Sequence, residues 1–159
     1  MPGRDDAGPV VTPADYDSNP ARFRHNVEAT ARYSPGDVHV DVAAELAAAH
    51  VGRVLDLGCG NGRLLRPLAR LSIPVLAFDA SMTMLAEVTG PRVCGDAGDL
   101  PFAADTFDAV AALYMLYHIP APDVVLGECR RVLTPGGLFI AAAPSRFNDP
   151  ELADVLLYG

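Results

Sequence analysis

A short glycine-rich segment constrains the fold of this chain more than any other stretch. Residues 54–57 read Val-Leu-Asp-Leu, an apolar run typical of the end of a buried strand, and a helical pattern begins at Arg63. Between them three glycines alternate with two other small residues: Gly58, Cys59, Gly60, Asn61 and Gly62. A strand, a glycine turn and a helix N-terminus in this order indicate a nucleotide site, because the backbone can approach a ligand closely there.

The rest of the chain alternates apolar runs with helical patterns. The runs predict strands over 53–57, 75–78, 92–94, 107–113 and 138–142, and the patterns between them predict helices over 37–50, 62–71, 81–88 and 123–133. Residues 134–137, Thr-Pro-Gly-Gly, are expected to end the last helix. Alternation of strand and helix predicts a doubly wound parallel α/β sheet with right-handed crossovers. The strands are continuous apolar runs, as expected where both faces are covered.

The two ends of the chain differ in composition from its middle. Prolines and glycines cluster in the first nine positions, so residues 1–13 are expected to form a flexible tail. Residues 14–50 are expected to form a helical lid or cap, and residues 51–159 the ligand-binding domain. The N-terminus lacks the apolar core of a signal peptide, and no apolar run is long enough to span a membrane.

Charge and cysteine usage exclude some classes of function. The chain has 159 residues, of which 12 are Lys or Arg and 20 are Asp or Glu, giving a net charge of −8. Such an acidic surface repels phosphate backbones, which argues against nucleic acid as a partner. The three cysteines show neither metal spacing nor a paired framework, so a reducing cytoplasm is expected.

Two aspartates follow predicted strands at the positions where nucleotide folds bind their ligands. Asp79 ends the second strand, about twenty residues beyond the glycine turn, where a carboxylate accepts hydrogen bonds from ribose hydroxyls. The alternative for Asp79 is a helix N-cap, a role for which Ser81 competes. Asp96 follows the third strand and could accept a purine amine. The alternative for Asp96 is an ordinary turn aspartate, and Asp99 lies nearby.

Asp56, just before the glycines, limits which class of ligand can bind at this turn. A dinucleotide places its pyrophosphate at this turn, where an upstream carboxylate would repel it, whereas an ammonium or sulfonium group would be attracted. The third glycine also comes one residue earlier than in the Gly-x-Gly-x-x-Gly pattern. Both observations disfavour a nicotinamide-dependent oxidoreductase.

Several segments together resemble a known family. Val54-Leu-Asp-Leu-Gly-Cys-Gly-Asn-Gly-Arg63 is similar to the first motif of the class I S-adenosylmethionine-dependent methyltransferases. The similarity continues in order through 78–81, 95–102, 107–110, 116–118 and 128–137, and it covers roughly residues 50–144. The Leu-Pro-Phe and Arg-Val-Leu-Thr-Pro-Gly-Gly segments resemble the small-molecule, type 11-like branch of that family.

The resemblance implies a fold and a ligand. The fold is a Rossmann-like sheet of five parallel strands in the order 3-2-1-4-5, and the cofactor is S-adenosyl-L-methionine. The implied cofactor contacts run from the methionine end to the adenine end: Asp56 near the ammonium group, the backbone of Gly58, Cys59, Gly60, Asn61 and Gly62 along the methionine moiety, Leu113 on the sulfonium side, Asp79 at the ribose, and Ala80, Ser81, Asp96 and Ala97 around the adenine.

The reaction implied is methyl transfer to a small-molecule acceptor. Methyl transfer needs alignment, and a general base helps only where the acceptor loses a proton. His118, after the fourth strand, is the candidate base; the alternative is a structural or capping histidine ahead of Pro120. Tyr16 is a weaker candidate for a lid contact with the cofactor, the alternative being an anchor for its helix. No metal-ligand pair is evident, which disfavours a metal-assisted reaction.

The C-terminal part departs from the family pattern. Family members add two strands as an antiparallel hairpin beside the fifth strand, and no sequence after Gly159 can form them. A shortened chain is therefore expected, with the edge of the fifth strand open to self-association. This departure keeps a second possibility open, namely a non-catalytic S-adenosylmethionine-binding module that acts by association.

Overall fold

The chain folds around a parallel sheet that fixes where a ligand can bind. The computed structural model describes residues 36–143. Tyr16, the predicted tail, most of the predicted lid and the segment after the last strand lie outside these residues. The elements, in chain order, are α1 (Val38–Ala48), β1 (Val54–Leu57), α2 (Leu65–Arg70), β2 (Val75–Asp79), α3 (Met82–Leu85), β3 (Arg92–Cys94), β4 (Phe107–Leu113), a 3-10 turn (Leu116–His118), α4 (Pro122–Val132) and β5 (Leu133–Ala142).

The strand order is β3-β2-β1-β4-β5, and every neighbouring pair is parallel. The predicted order and fold class are therefore confirmed. The central strand β1 pairs with β2 on one side and with β4 on the other, so that Asp56 lies opposite Ala77 and Ala111. In chain order the strands lead outward from β1 to β3, and the chain then returns to place β4 on the other side of β1. The order of the strands therefore reverses between β1 and β4, and ligands bind outside the carboxyl ends of the strands at such a point.

Both faces of the sheet are buried, as the continuous apolar runs predict. On one face Leu55, Leu57 and Val110 pack in a cluster with Val125 and Cys129 of α4. On the other face the side chains of α1 and α2 cover β1 and β4, in a cluster formed by Val42, Ala43, Leu46, Val54, Leu64, Leu68, Ala109, Ala111 and Leu113. All four residues of β1 are buried, including Asp56.

Two predicted helices are shorter than expected. The helix expected from Gly62 begins at Leu65, because Gly60 and Gly62 have φ angles of 54° and 82°, which no right-handed helix contains. The helix expected to reach Val88 ends at Leu85. Beyond that point the backbone closes tight turns, in which Glu87 N donates to Met84 O and Val88 N donates to Leu85 O.

The last strand begins earlier than its sequence suggests. Residues 134–137 do not form a separate turn between helix and strand, since β5 already pairs at Leu133, opposite Phe107. The next aligned pair is Ala109 with Leu138, so the extra residues bulge out of the ladder. Gly136 has a φ of 79°, which lets the bulge form. The helix does end just before residues 134–137, at Val132, as predicted, but the strand predicted from 138 already begins at Leu133.

An ion pair on α4 holds the loop between β3 and β4. Arg131 donates to Glu128 Oε1 and Oε2 at 2.7 and 2.6 Å, and also to the carbonyl oxygens of Leu100 and Phe102. Glu128 Oε2 in turn accepts a hydrogen bond from Leu100 N at 2.8 Å. The Phe102 ring lies edge-on to Phe107, with 5.1 Å between their centroids. The loop is thereby fixed against the core beside the end of β3.

Arg131→Met should lower the urea midpoint of unfolding, because it leaves Glu128 and two loop carbonyls without their charged donor. Urea denaturation of the two proteins measures the difference. Arg130→Met is the matched control, since Arg130 is the exposed neighbour on the same helix. Equal unfolding midpoints for Arg131→Met and the wild type would contradict this role.

Within residues 36–143, no helix combines the length and the hydrophobicity needed to cross a membrane.

Candidate functional site

A cavity of about 670 Å³ opens at the carboxyl ends of the central strands. Its walls come from the glycine turn after β1, the ends of β2 and β4, the segment after β3 and the 3-10 turn. It brings together most of the residues that the sequence singles out: Asp56, Gly58, Cys59, Gly60, Asp79, Ala80, Ser81, Asp96, Ala97, Leu113 and His118. Their roles toward a ligand stay predictions.

Gly58 brings the backbone to the cavity wall. Its φ is 69°, and a Cβ at this position would lie 2.7 Å from Met115 Cβ, closer than real side chains approach. The amides of Gly58 and Cys59 both donate to Phe78 O, at 2.8 and 3.1 Å, which joins the turn to β2. The Cys59 thiol is buried, and burial together with Asp56 and Asp79 raises the pKa of this thiol, so it stays neutral.

Asp79 connects the glycine turn to the helix that follows β2. Its Oδ2 accepts a hydrogen bond from Gly60 N at 2.8 Å, and its Oδ1 accepts one from Ser81 N at 2.9 Å. The N-cap of α3 is Ser81, whose Oγ accepts from Met84 N at 3.1 Å. Each carboxylate oxygen has two lone pairs, so the half-buried Asp79 keeps acceptor capacity for a ligand that enters the cavity.

Asp56 is the most unusual charged group of the cavity. The residue is 3% exposed, and its Oδ2 has no hydrogen-bond partner among the described residues. Burial, and after it the negative charge of Asp79, raises the pKa of the Asp56 carboxyl from 3.8 to about 7. A buried acceptor without a donor has a high energetic cost, and a cationic ligand would relieve that cost.

The raised pKa of Asp56 predicts a pH-dependent stability for the ligand-free chain. Between pH 3.8 and about 7 the folded state holds this proton and the unfolded state does not, so stability falls as the pH rises through this window. Asp56→Asn removes this contribution. We expect the variant to gain on the order of 2 kcal/mol relative to the wild type between pH 5 and pH 8.

Urea titrations of both proteins at a series of pH values measure this gain. Subtracting the wild-type curve from the variant curve cancels the other titrating groups, including the histidines. A difference between the two proteins that does not change from pH 5 to pH 8 would contradict the raised pKa.

Asp96 lies in a turn at the edge of the cavity, so both of its alternative roles stay open. Its Oδ1 accepts a hydrogen bond from Gly98 N at 2.8 Å, which is the geometry of an ordinary turn aspartate. The residue is also exposed at the cavity, beside the buried Ala97. The turn therefore fixes the carboxylate at the cavity rim, where its second oxygen can accept a donor.

Asn61 and Gly62 belong to the turn and do not line the cavity. Asn61 Nδ2 donates to Glu87 Oε2 at 3.4 Å, and Gly62 N donates to Cys59 O at 2.9 Å. The geometry gives both residues a part in shaping the turn. Their predicted contact with a ligand is untested.

His118 lies on the 3-10 turn that follows β4. His118 lines the cavity, and its imidazole packs at a tilt of 48° against the Tyr117 ring, with 4.1 Å between the centroids. Partial burial lowers the pKa of His118, which favours the neutral form that can accept a proton. The position agrees with the predicted base, while the role itself is untested.

The cavity also contains residues that the sequence patterns did not indicate. The polar additions are His39, on the first turn of α1, and Arg63, in the glycine turn. An Asp-x-His pair at a helix start was the available signal for His39. The remaining additions are apolar or aromatic side chains and one glycine, namely Leu64, Phe78, Met84, Gly95, Tyr114, Met115, Tyr117 and Ile119. Residues 36–143 contain no cluster of three or more His, Cys, Asp or Glu side chains that could hold a metal ion.

Comparison with known proteins agrees with this geometry. A family described as a methyltransferase domain matches residues 55–141. A ubiquinone biosynthesis O-methyltransferase from Mesorhizobium japonicum is 32% identical over an alignment 103 residues long, which covers 59% of this chain and 41% of that protein. The chain thus spans about two fifths of the length of such curated relatives.

Two solved structures extend the comparison. A protein from Pyrococcus horikoshii OT3 superposes with a TM-score of 0.63 at 27% identity, over 90% of this chain and 63% of that one. The 4+2 cyclase SpnF superposes with a TM-score of 0.58 at 32% identity, over 62% of this chain and 42% of that one. With its family match over more than half of its length, the chain belongs to the methyltransferase-domain family.

Proposed function

We propose that this chain binds S-adenosyl-L-methionine and transfers its methyl group to a small-molecule acceptor. The observation that carries the proposal is Asp56, a buried carboxylate that lines the cavity and has an acceptor atom without a partner among the described residues. The ammonium group of the cofactor supplies both the donor and the positive charge that this site lacks. A pyrophosphate would add negative charge to a carboxylate that is already costly to ionise.

The order of the strands supports the same ligand. Asp96 follows β3, Asp79 ends β2 and Asp56 lies on β1, so the carboxylates follow one another along the sheet edge. The apolar Leu113 ends β4, the next strand in this order. In this proposal the adenine lies near Asp96, the ribose near Asp79, the methionine moiety near Asp56 and the sulfonium near Leu113.

The cofactor supplies a methyl group that is already activated by the positive sulfur. The residues of this chain would then bind the acceptor, align it with that methyl group and exclude water. Tyr114, Met115, Tyr117 and Ile119 give the β4 end of the cavity an apolar and aromatic lining. The Mesorhizobium relative is named as an O-methyltransferase of ubiquinone biosynthesis. We therefore infer that the acceptor is a hydroxyl group on an aromatic ring.

A second function is favoured by one comparison. SpnF is a cyclase by name and is 32% identical over the matched part, so a cavity on this fold can serve a reaction other than methyl transfer. The non-catalytic binding module is the limiting case of this alternative. Cytoplasmic location and self-association along the edge of β5 stay predictions within the proposal.

Transfer of a labelled methyl group tests the proposal. The full chain is incubated with S-adenosylmethionine labelled on its methyl group and with hydroxylated aromatic compounds, and labelled products are separated and counted. Enzyme-dependent label in an aryl methyl ether supports the proposal. Tight binding of S-adenosylhomocysteine without transfer to any hydroxylated aromatic compound would favour the alternative.

A further inference from the structure

His39 and Asp37 form a pair at the same cavity, beside the residues discussed so far. Asp37 Oδ1 and His39 Nδ1 are 2.8 Å apart, and the His39 side chain is only 12% exposed. The imidazole lines the cavity, as His118 does. An imidazole held by a carboxylate is the arrangement in which a general base is oriented toward its substrate.

The carboxylate of the pair is itself held in place. Asp37 is the N-cap of α1, and the same Oδ1 accepts a hydrogen bond from His39 N at 3.0 Å. Arg63 Nη2 lies 3.5 Å from this oxygen. The start of the helix thus fixes both members of the pair, and the pair depends on the cap for its geometry.

The contact between the two side chains determines which nitrogen can take a proton. A neutral His39 that donates from Nδ1 to Asp37 carries its lone pair on Nε2. Burial lowers the pKa of His39, and the neighbouring Arg63 lowers it as well, against the opposing effect of Asp37. The ring is therefore neutral at pH 7 and ready to accept a proton at Nε2.

The position of α1 places His39 on the acceptor side of the cavity. The buried face of α1 packs in one cluster with Leu113 and with the other residues of β4 on that face. The ring centroid of His39 is 6.4 Å from that of Tyr114, the residue after β4. In the proposed orientation the sulfonium lies near Leu113, so His39 is on the side of the transferring methyl group.

We propose that His39, and not the predicted His118, is the general base for the hydroxyl acceptor and that Asp37 is its positioning residue. This inference rests on the proposed methyl transfer. The hydroxyl proton moves to His39 Nε2 while an oxygen lone pair attacks the methyl carbon. The carbon–sulfur bond breaks, its electron pair returns to sulfur, and S-adenosylhomocysteine and an aryl methyl ether are formed. The imidazolium then releases its proton to water.

The experiment compares two acceptors that differ in their need for a base. Catechol has a hydroxyl that is largely protonated at pH 8, as the tyrosine pKa of about 10 indicates. 4-Nitrocatechol is largely ionised at this pH, because the nitro group withdraws electron density. We expect His39→Gln to lower the rate with catechol by about 100-fold, a typical effect of general-base catalysis. With 4-nitrocatechol the rate should fall by less than about 5-fold, since the proton is already gone.

The variants and a binding measurement separate the possible causes. Asp37→Asn should show the same dependence on the acceptor with a smaller loss, and His50→Asn, an exposed histidine outside the cavity, should show none. Calorimetry with S-adenosylhomocysteine checks that each variant keeps the cofactor site. If His39→Gln does not bind S-adenosylhomocysteine, His39→Asn takes its place in the comparison of the two acceptors.

The outcomes distinguish this inference from the proposal on which it rests. Equal losses for both acceptors in His39→Gln, or no loss for either, would overturn the base role. Wild-type protein that binds S-adenosylhomocysteine but methylates neither catechol would overturn it too. Failure of the wild type to bind any adenosyl ligand would instead refute the proposed function.

Discussion

Asp79→Asn should weaken the binding of S-adenosylhomocysteine by at least about 100-fold. The carboxylate accepts from Gly60 N and from Ser81 N, so an amide NH₂ group in place of one oxygen would meet a donor where an acceptor is needed. It would also lose one acceptor for the ribose hydroxyls. Hydrogen bonds to charged groups contribute about 1.5–3 kcal/mol each, and 2.7 kcal/mol corresponds to about 100-fold in affinity.

Titration calorimetry measures the effect on Asp79→Asn and on a matched control. Asp99→Asn makes the same chemical change at an exposed residue that does not line the cavity, and it should leave the affinity within about 2-fold of the wild type. Similar affinities for the two variants would contradict the role of Asp79, since the loss would then not depend on the cavity.

Gly58→Ala should lower the free energy of unfolding by about 2–5 kcal/mol and abolish cofactor binding. The backbone at Gly58 has a φ of 69°, which costs a residue with a Cβ about 1–2 kcal/mol. The new methyl group would also lie 2.7 Å from Met115 Cβ and 2.8 Å from Met115 Cγ, and overpacking of this kind costs about 1–3 kcal/mol. Relief of the clash would displace the turn that forms the cavity wall.

Substituting alanine for glycine at position 127 should have the opposite effect on stability. Gly127 lies within α4, and a Cβ there would have no atom within 4 Å. Gly127→Ala should therefore stabilise the chain by about 0.5–1 kcal/mol through its helix propensity. Urea unfolding of both variants measures the contrast. A Gly58→Ala protein as stable as the wild type would show that the turn does not need glycine at this position.

The sequence was sufficient to predict the sheet and most of the cavity lining. Residues such as Val54 and Val110 lie in apolar runs whose spacing requires parallel strands with both faces covered, and Asp56 and Asp79 follow from their places at strand ends. The late start of α2 and the early start of β5 could not be predicted, because they depend on positive φ angles at Gly60, Gly62 and Gly136. The sequence shows where the glycines are, but it does not show which of them adopt positive φ angles.

The sequence predicts that His118 lies at the cavity and gives no such prediction for His39, for a related reason. His118 follows a predicted strand, so the topology of the fold carries it to the cavity. His39 reaches the same cavity through tertiary packing, since α1 docks on β4 through Val42 and Leu46. The pattern predicted a helix from residue 37, next to its observed start at Val38, and only the packed structure shows which way the first turn faces.

Calorimetric titration of the wild-type chain with S-adenosylhomocysteine and, separately, with NAD shows which kind of ligand the cavity binds. The claim is that an acidic cavity containing Asp56 and Asp79 selects an adenosyl ligand with an ammonium group over a pyrophosphate. We expect one adenosyl ligand per chain, bound more tightly as the pH rises through about 7 and Asp56 ionises, and no heat from NAD. Binding of NAD without binding of S-adenosylhomocysteine would contradict it.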